Sequence, residues 1–401
     1  MVTMVTKGER TSALDSFLRP SRWVLDPSRR AYVVPALSAG LFGTCTSVGD
    51  NWIEKNILRY QEGSERVSFL SLSINPDSFI VPLAYLVVGY WLSVIVPLMA
   101  CTPLSTGLGR WLDPDFRGLT SSWKIQMWAI PTGFISTIDT FFYLLGHKLF
   151  DPSIVLPLSS ASVAYRGVYD LTKKDIAIKR RVLLLAVLAA VVGIPLISVK
   201  QKSADASTSD ITGAIILEAL LIVALFQQGA SILRDALKQE GVQRTNADAF
   251  SFEFWRKVWG ALFATLGTGL LVVLIDRLRP VWVLAISASM AVAIPWIVLR
   301  HVPGTAATTW ETRAQKLAPG LTEVSVLTSL KPVVGVLLTL AISFPCFWLR
   351  GVWPFGEPAT DVAVWVTRSI GAVLLVGAAA TVTFARKASE LEKKQKAQSG
   401  A

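Results

Sequence analysis

The sequence predicts an all-α integral membrane protein whose ten transmembrane helices form two inverted five-helix repeats. Three observations carry that expectation. Of 401 residues, 52% are hydrophobic and only 17% charged, with a mean hydropathy of +0.50, whereas soluble domains carry about a quarter charged residues. Apolar runs of roughly the 20 residues needed to span a bilayer recur between short polar turns. Lysine and arginine alternate between dense and sparse from one turn to the next.

Read in order, the apolar runs place spans at 31–53, 78–101, 123–147, 152–170 and 181–199, then at 211–233, 252–275, 280–300, 324–349 and 359–385. Residues 1–30 are too charged and too long for a secretory signal, so the first span is expected to be retained. The organisation that follows is a cytoplasmic tail over 1–30 and a first five-helix half over 31–200. An extracytoplasmic linker over 201–210, a second half over 211–386 and a cytoplasmic tail over 387–401 complete it.

With the N-terminus in the cytoplasm, 27 lysines and arginines fall on that side, including Arg234, Lys238, Arg256, Lys257, Arg300 and Arg313, against eight on the other. This is the bias of the positive-inside rule, and an even number of spans preserves it, so both termini face the cytoplasm. The membrane is the inner membrane if the cell is bacterial, with an organelle membrane left open. The same bias accounts for the net charge of +11 through contact with anionic lipid, and nucleic acid is not an expected partner.

The polar linker KQKSADASTSD divides the spans five and five. Because five is odd, the second half enters the membrane from the opposite side, and the substrate site of such a pair is expected near midplane between the halves.

With ten spans, cytoplasmic termini and two five-helix halves, the chain resembles the drug/metabolite transporter superfamily over about residues 31–386. The local pieces are Ser153–Ser198 (SIVLPLSSASVAYRGVYDL, a basic turn, then RVLLLAVLAAVVGIPLIS) and Val326–Leu340 (VLTSLKPVVGVLLTL). The ninth-span lysine also looks like that of the nucleotide-sugar and triose-phosphate branch. That resemblance implies contact between Lys331 and a substrate phosphate, although the branch's second basic residue is replaced by Pro332. The acidic residue that ends the fourth helix in many members is not matched; Asp170 and Asp175 are only loosely placed.

Intramembrane charge is expensive and faces a bundle interior or a wet cavity, so each such residue is a site candidate. On span nine, Thr328, Lys331, Gly335 and Thr339 recur at helical steps and form a polar stripe. On span three Thr132, Ser136, Asp139 and Tyr143 do the same, and Asp139 is a candidate proton or cation site. Arg166 on span four, Glu218 on span six and Arg368 on span ten complete the substrate-binding candidates. The alternatives are structural. Asp139 could be locked to Lys331 or Arg166, Lys331 could snorkel, Arg166 could reach headgroups, and Glu218 could pair with Lys331 or Arg368.

Cys45, Cys101 and Cys346 form no ligand spacing, and the two histidines, His147 and His301, fall near predicted span ends. No metal, cofactor or catalytic residue is therefore expected, and no phosphate-cradling GxxxxGK[ST] loop occurs. The leading expectation is not an enzyme but a secondary transporter of a small polar or anionic metabolite, driven by exchange or a proton gradient. The alternatives are a lipid-handling flippase or enzyme and a structural subunit of a membrane complex. Expected partners are a small-molecule solute and membrane lipid, with a homodimer left open.

Overall fold

The computed structural model describes residues 32–56, 67–69, 72–74, 80–100, 110, 112–149, 161–172, 180–197, 220–274, 290–318, 320–351, 362–378 and 381. The architecture is helical. α1 is Val33–Asn56, α2 Ile80–Ala100, α3 Trp123–Leu149, α4 Ala161–Thr172 and α5 Arg180–Ile197. A π-helical turn, Leu220–Gln227, runs directly into α6, Gln228–Thr245. α7 is Ala249–Leu274, α8 Met290–Leu317, α9 Leu321–Thr328, α10 Lys331–Arg350 and α11 Val362–Ala378. A hairpin of three-residue strands, Val67–Phe69 against Leu72–Ile74, lies between α1 and α2. The sequence reading did not expect it.

Two helices run well past their predicted ends. α6 continues beyond 233 to Thr245, and α8 continues beyond 300 to Leu317. Hydropathy ends both spans where charge begins. Yet Ser231, Asp235, Lys238, Gln239 and Val242 recur at three- and four-residue steps, and all are buried. This is an amphipathic pattern whose inward face is polar.

The predicted ninth span is two helices, not one. Pro332 lacks the N–H that would bond the carbonyl of Thr328, and the chain turns over Ser329–Leu330 before α10 begins. The continuous stripe expected from Thr328 through Lys331 is thereby broken: Thr328 ends α9 and Lys331 opens α10.

Helices pair in a definite pattern. α1 lies along α8, α3 along α6, α2 along α7, and α4 against α9. On α1 and α8, Phe42 and Trp310 meet edge to face with centroids 5.1 Å apart. Between α3 and the π-helical turn that leads into α6, Phe142 stacks on Phe226 at 5.2 Å. α3 also crosses α7 closely, because a Cβ at Gly133 would stand 2.8 Å from the carbonyl oxygen of Arg256. A residue without a side chain lets two helix backbones approach in this way. α5 meets α11 similarly, with a Cβ at Gly193 reaching within 3.0 Å of the Gly371 carbonyl oxygen.

Among the described residues, one helix is long and apolar enough by itself to cross a membrane, over Ala249–Val273 in α7. Val33–Thr46, Pro82–Leu98, Arg181–Gly193 and Val362–Ala378 are shorter apolar stretches.

Candidate functional site

The helix pairings bring a chain of buried charges together. Asp139, one turn beyond Ser136 on α3, accepts a guanidinium nitrogen of Arg234 from α6. The same guanidinium holds Asp235 at 2.8 Å. Asp235 in turn takes Arg166 from α4, and Arg166 and Arg234 each donate to Ser231 Oγ at 3.3 Å. Asp235 is 1% exposed, so two guanidinium groups compensate one fully desolvated carboxylate. An ion that deep persists only when its lone pairs are satisfied. Two atoms of this group make no hydrogen bond, Asp139 Oδ1 and Arg166 Nε.

A second cluster adjoins the first. Lys238 Nζ stands 3.8 Å from carboxylate oxygens of Asp235, Glu253 and Glu311 and so links the two. Glu253, near the start of α7, receives Arg256 Nη2 at 2.6 Å and Nε at 2.9 Å, and the hydroxyl of Thr312 from α8. The remaining arm of Arg256 donates to Ser136 Oγ, which also accepts the Tyr90 hydroxyl at 3.0 Å. Tyr90 reaches that position because Gly260 leaves α7 without a side chain there. The chain of contacts thus runs from α4 through α6 and α3 to α7, α8 and α2.

One end of the bundle is closed by side chains that cap backbone. Asp170, in the last turn of α4, accepts the Thr322 N–H at the start of α9 at 2.6 Å, while Thr322 Oγ1 donates to the Arg166 carbonyl at 3.0 Å. Asp113 accepts the first N–H of α7, from Ala249, at 2.6 Å. Asp248 caps the same helix through Ser251 N–H at 2.7 Å and accepts the Thr120 hydroxyl at 3.3 Å. These carboxylates meet helix N-termini, where exposed N–H groups and the helix dipole favour negative charge. Burial is the main influence on the Asp248 carboxyl and raises it above its ordinary value, with Asp113 adding to the effect. The Gln239 and Gln243 amides close the C-terminus of α8 by donating to the carbonyls of Gln315 and Ala318 at 3.2 to 3.3 Å.

No family model matches the chain, and no curated protein matches it. Solved structures do match. One is a crystal structure with a TM-score of 0.50 at 14% identity, covering 88% of this chain and 96% of its own. At that identity the likeness speaks to the fold alone.

Of the residues singled out from sequence, Ser136, Asp139 and Arg166 lie in the charge network. Asp139 is paired with Arg234, and Arg166, one of the structural partners considered for it, engages Asp235 instead. Arg166 is turned inward to Asp235, not out to headgroups. Tyr143 packs half-buried against the apolar cluster that contains Tyr90 and Leu144. Thr328 spends its hydroxyl on the Ser325 carbonyl of its own helix at 3.1 Å. Arg368 lies over the Trp365 ring on α11, 5.2 Å from its centroid. The Lys331 side chain and the whole of Glu218 fall outside the described residues.

Sequence reasoning missed Arg234, Asp235, Lys238, Glu253 and Arg256 as interior groups. For the first three the signal was present in the spacing from Ser231 to Val242, which carries the helical period on beyond the apolar run ahead of it.

Proposed function

We propose that the protein is a multi-pass membrane transporter that moves a small polar or anionic metabolite by alternating access between two five-helix halves. One observation carries this reading. The buried ion pairs join the proposed halves, Asp139 and Arg166 of the first to Arg234 and Asp235 of the second. Contacts of that kind can be exchanged for solute or for one another as the halves move, without exposing a bare charge to lipid.

Two further features support it. The distribution of polarity is inverted relative to a soluble protein: Lys238 and Glu253 are buried, while Leu184, Leu185, Leu188, Leu266, Leu270, Trp348 and Leu349 are exposed on the outer faces of α5, α7 and α10. Such apolar exteriors suit a lipid solvent. The pairing of helices also fits an inverted repeat. Taking α9 with α10 as the ninth span and α11 as the tenth, exchange of each span with the one five places on converts the α1–α8 pair into the α6–α3 pair. The same exchange returns α2–α7, α4–α9 and α5–α11 to themselves.

On this reading the capped end, where α6 and α8 finish and α7 and α9 begin, is the cytoplasmic side. The ten-span count, both termini in the cytoplasm and membership of the drug/metabolite transporter superfamily are part of the proposal. So is a role for Lys331, which opens α10 beside the break in span nine.

The test is uptake by purified protein in liposomes across nucleotide sugars, sugar phosphates, amino acids and amphipathic amines, run with Asp139→Asn and Lys331→Ala. Saturable uptake of a panel member that Asp139→Asn abolishes is expected. Uptake unchanged in both variants would remove the site assignment, and no uptake of any panel member by folded protein would count against transport itself.

A further inference from the structure

Beyond the ion-pair network, α7 and α8 hold basic groups that the network does not neutralise. Lys257, one turn along α7 from Glu253, is 5% exposed, and its ammonium donates to Thr305 Oγ1 on α8 at 3.4 Å. Among the described residues the charge that acts on it most is that of Glu253, followed by those of Arg256, Arg300 and Lys238. Glu253 is itself held twice by Arg256 and once by Thr312. One turn before Thr305 on α8 is His301, also 5% exposed, and the charges of Arg300 and Lys257 act on it.

The histidine's protonation follows from its neighbour. Arg300 Nη1 lies 3.2 Å from His301 Nδ1. A guanidinium only donates, so Nδ1 is the acceptor, and a neutral imidazole then carries its proton on Nε2. That Nε2–H is buried and makes no hydrogen bond among the described residues. Gly89 of α2 faces it, and a Cβ built there would stand 3.7 Å from Nε2. Buried donors as a rule have partners. Here a buried Lys257 amine with donors to spare and a buried imidazole N–H lie at the same helix crossing, and among the described residues neither is paired with a carboxylate.

We propose that Lys257, His301 and Thr305 form a binding site for an oxyanion, the carboxylate or phosphate group of a small solute, at the crossing of α2, α7 and α8. Spare donors, with a Lys257 amine that pairs with no carboxylate among the described residues, together select a group that only accepts hydrogen bonds and carries negative charge. A neutral sugar or amide would satisfy the donors but leave the charge, and an amine would add to it. The site deepens the transport reading by naming the class of solute. Only the identification of the bound group as solute rests on that reading, because binding itself can be measured without transport.

The experiment is thermal unfolding of the purified full chain in detergent, titrated with inorganic phosphate, with succinate, with dioctanoyl phosphatidic acid, and with sodium chloride at matched ionic strength. Phosphate or succinate is expected to raise the midpoint beyond chloride. Lys257→Gln should weaken that response by about tenfold or more, Lys257→Arg should largely keep it, and His301→Leu should weaken it independently of Lys257. If Lys257→Gln does not fold, His301→Leu carries the test. An equal response to chloride, or an unchanged response in both Lys257→Gln and His301→Leu, would overturn the site. A response to phosphatidic acid alone would assign it to a lipid headgroup and overturn the solute claim. Anion stabilisation that depends on Lys257 in a protein showing no uptake leaves the site and removes the transporter; uptake without anion stabilisation does the reverse.

Discussion

Arg234 on α6 and Asp139 on α3 form an ion pair inside the bundle, and the same guanidinium also holds Asp235 on its own helix. The arrangement makes Arg234 the guanidinium that two carboxylates share. Removing it leaves two buried carboxylates with one guanidinium between them. Breaking a buried pair from one side costs about 3–5 kcal/mol, more than the intact pair contributes. Arg234→Gln is therefore expected to be the most damaging substitution in the network. Asp139→Asn should cost less, because Asp235 still engages the arginine. In the double variant, Asp139→Asn should recover part of the loss. Denaturant unfolding in detergent of the four proteins checks this, and strict additivity would contradict the pairing.

The α3–α7 crossing depends on Gly133. A Cβ there would meet the Arg256 backbone oxygen and the Trp259 Cβ, each at 2.8 Å, and neither can swing aside. Gly133→Ala should cost about 1–3 kcal/mol as an overpacked contact, whereas Gly267→Ala, which meets nothing within 4 Å, should be tolerated. Paired thermal midpoints of the two variants decide it. Equal midpoints would mean that the helices are not this close.

Asp248 gives a pH dependence of definite sign. Burial raises its carboxyl above the ordinary 3.8, so the folded chain holds that proton more tightly than the unfolded chain does. Its stabilising share is then complete below the unfolded value and is lost as pH rises through the raised folded value. Asp248→Asn keeps an oxygen for the Ser251 N–H and cannot ionise. The variant should be more stable than the wild type at neutral pH, and the advantage should vanish below about pH 4. Unfolding midpoints at the two pH values measure the difference, and a neutral-pH loss of stability would contradict the direction.

At α9 the prediction concerns one cap. Asp170→Ala leaves the Thr322 N–H without its acceptor and should cost about 1 kcal/mol. Asp170→Asn should cost less. Faster hydrogen exchange confined to the start of α9 is the expected signature, and uniform exchange rates would argue against the cap.

Much of this architecture is legible in the sequence. The starts of α3, α5 and α7 fall within three residues of the predicted ones, because an apolar run following a charged turn marks where a helix can begin. Ser136, Asp139 and Arg166 stood out because charge within an apolar run is conspicuous. Their partners did not. Arg234, Lys238, Arg300 and His301 follow the apolar runs of spans six and eight, and a hydropathy reading places such residues in loops. A charge census made the same error for Arg256 and Lys257, since it records the side of the membrane to which a residue belongs and not whether it points into the bundle. The polar faces of α6 and α8 are helical at three- and four-residue spacing, and that spacing, weighed against hydropathy, is the signal for them. The sequence signal for the break at Ser329–Leu330 is Pro332, because a proline inside a helical run interrupts it.

The central claim is that the two halves move against each other to carry solute, and the contact between α4 and α9 tests it most directly. A Cβ at Gly320 would stand 3.2 Å from the Asp170 Cγ, a separation suited to a disulfide between cysteines at these positions. In a chain with Cys45, Cys101 and Cys346 replaced by serine, Asp170→Cys with Gly320→Cys is expected to transport when reduced. Oxidation should stop transport, and reduction should restore it. Undiminished transport with the cross-link fully formed would contradict the account.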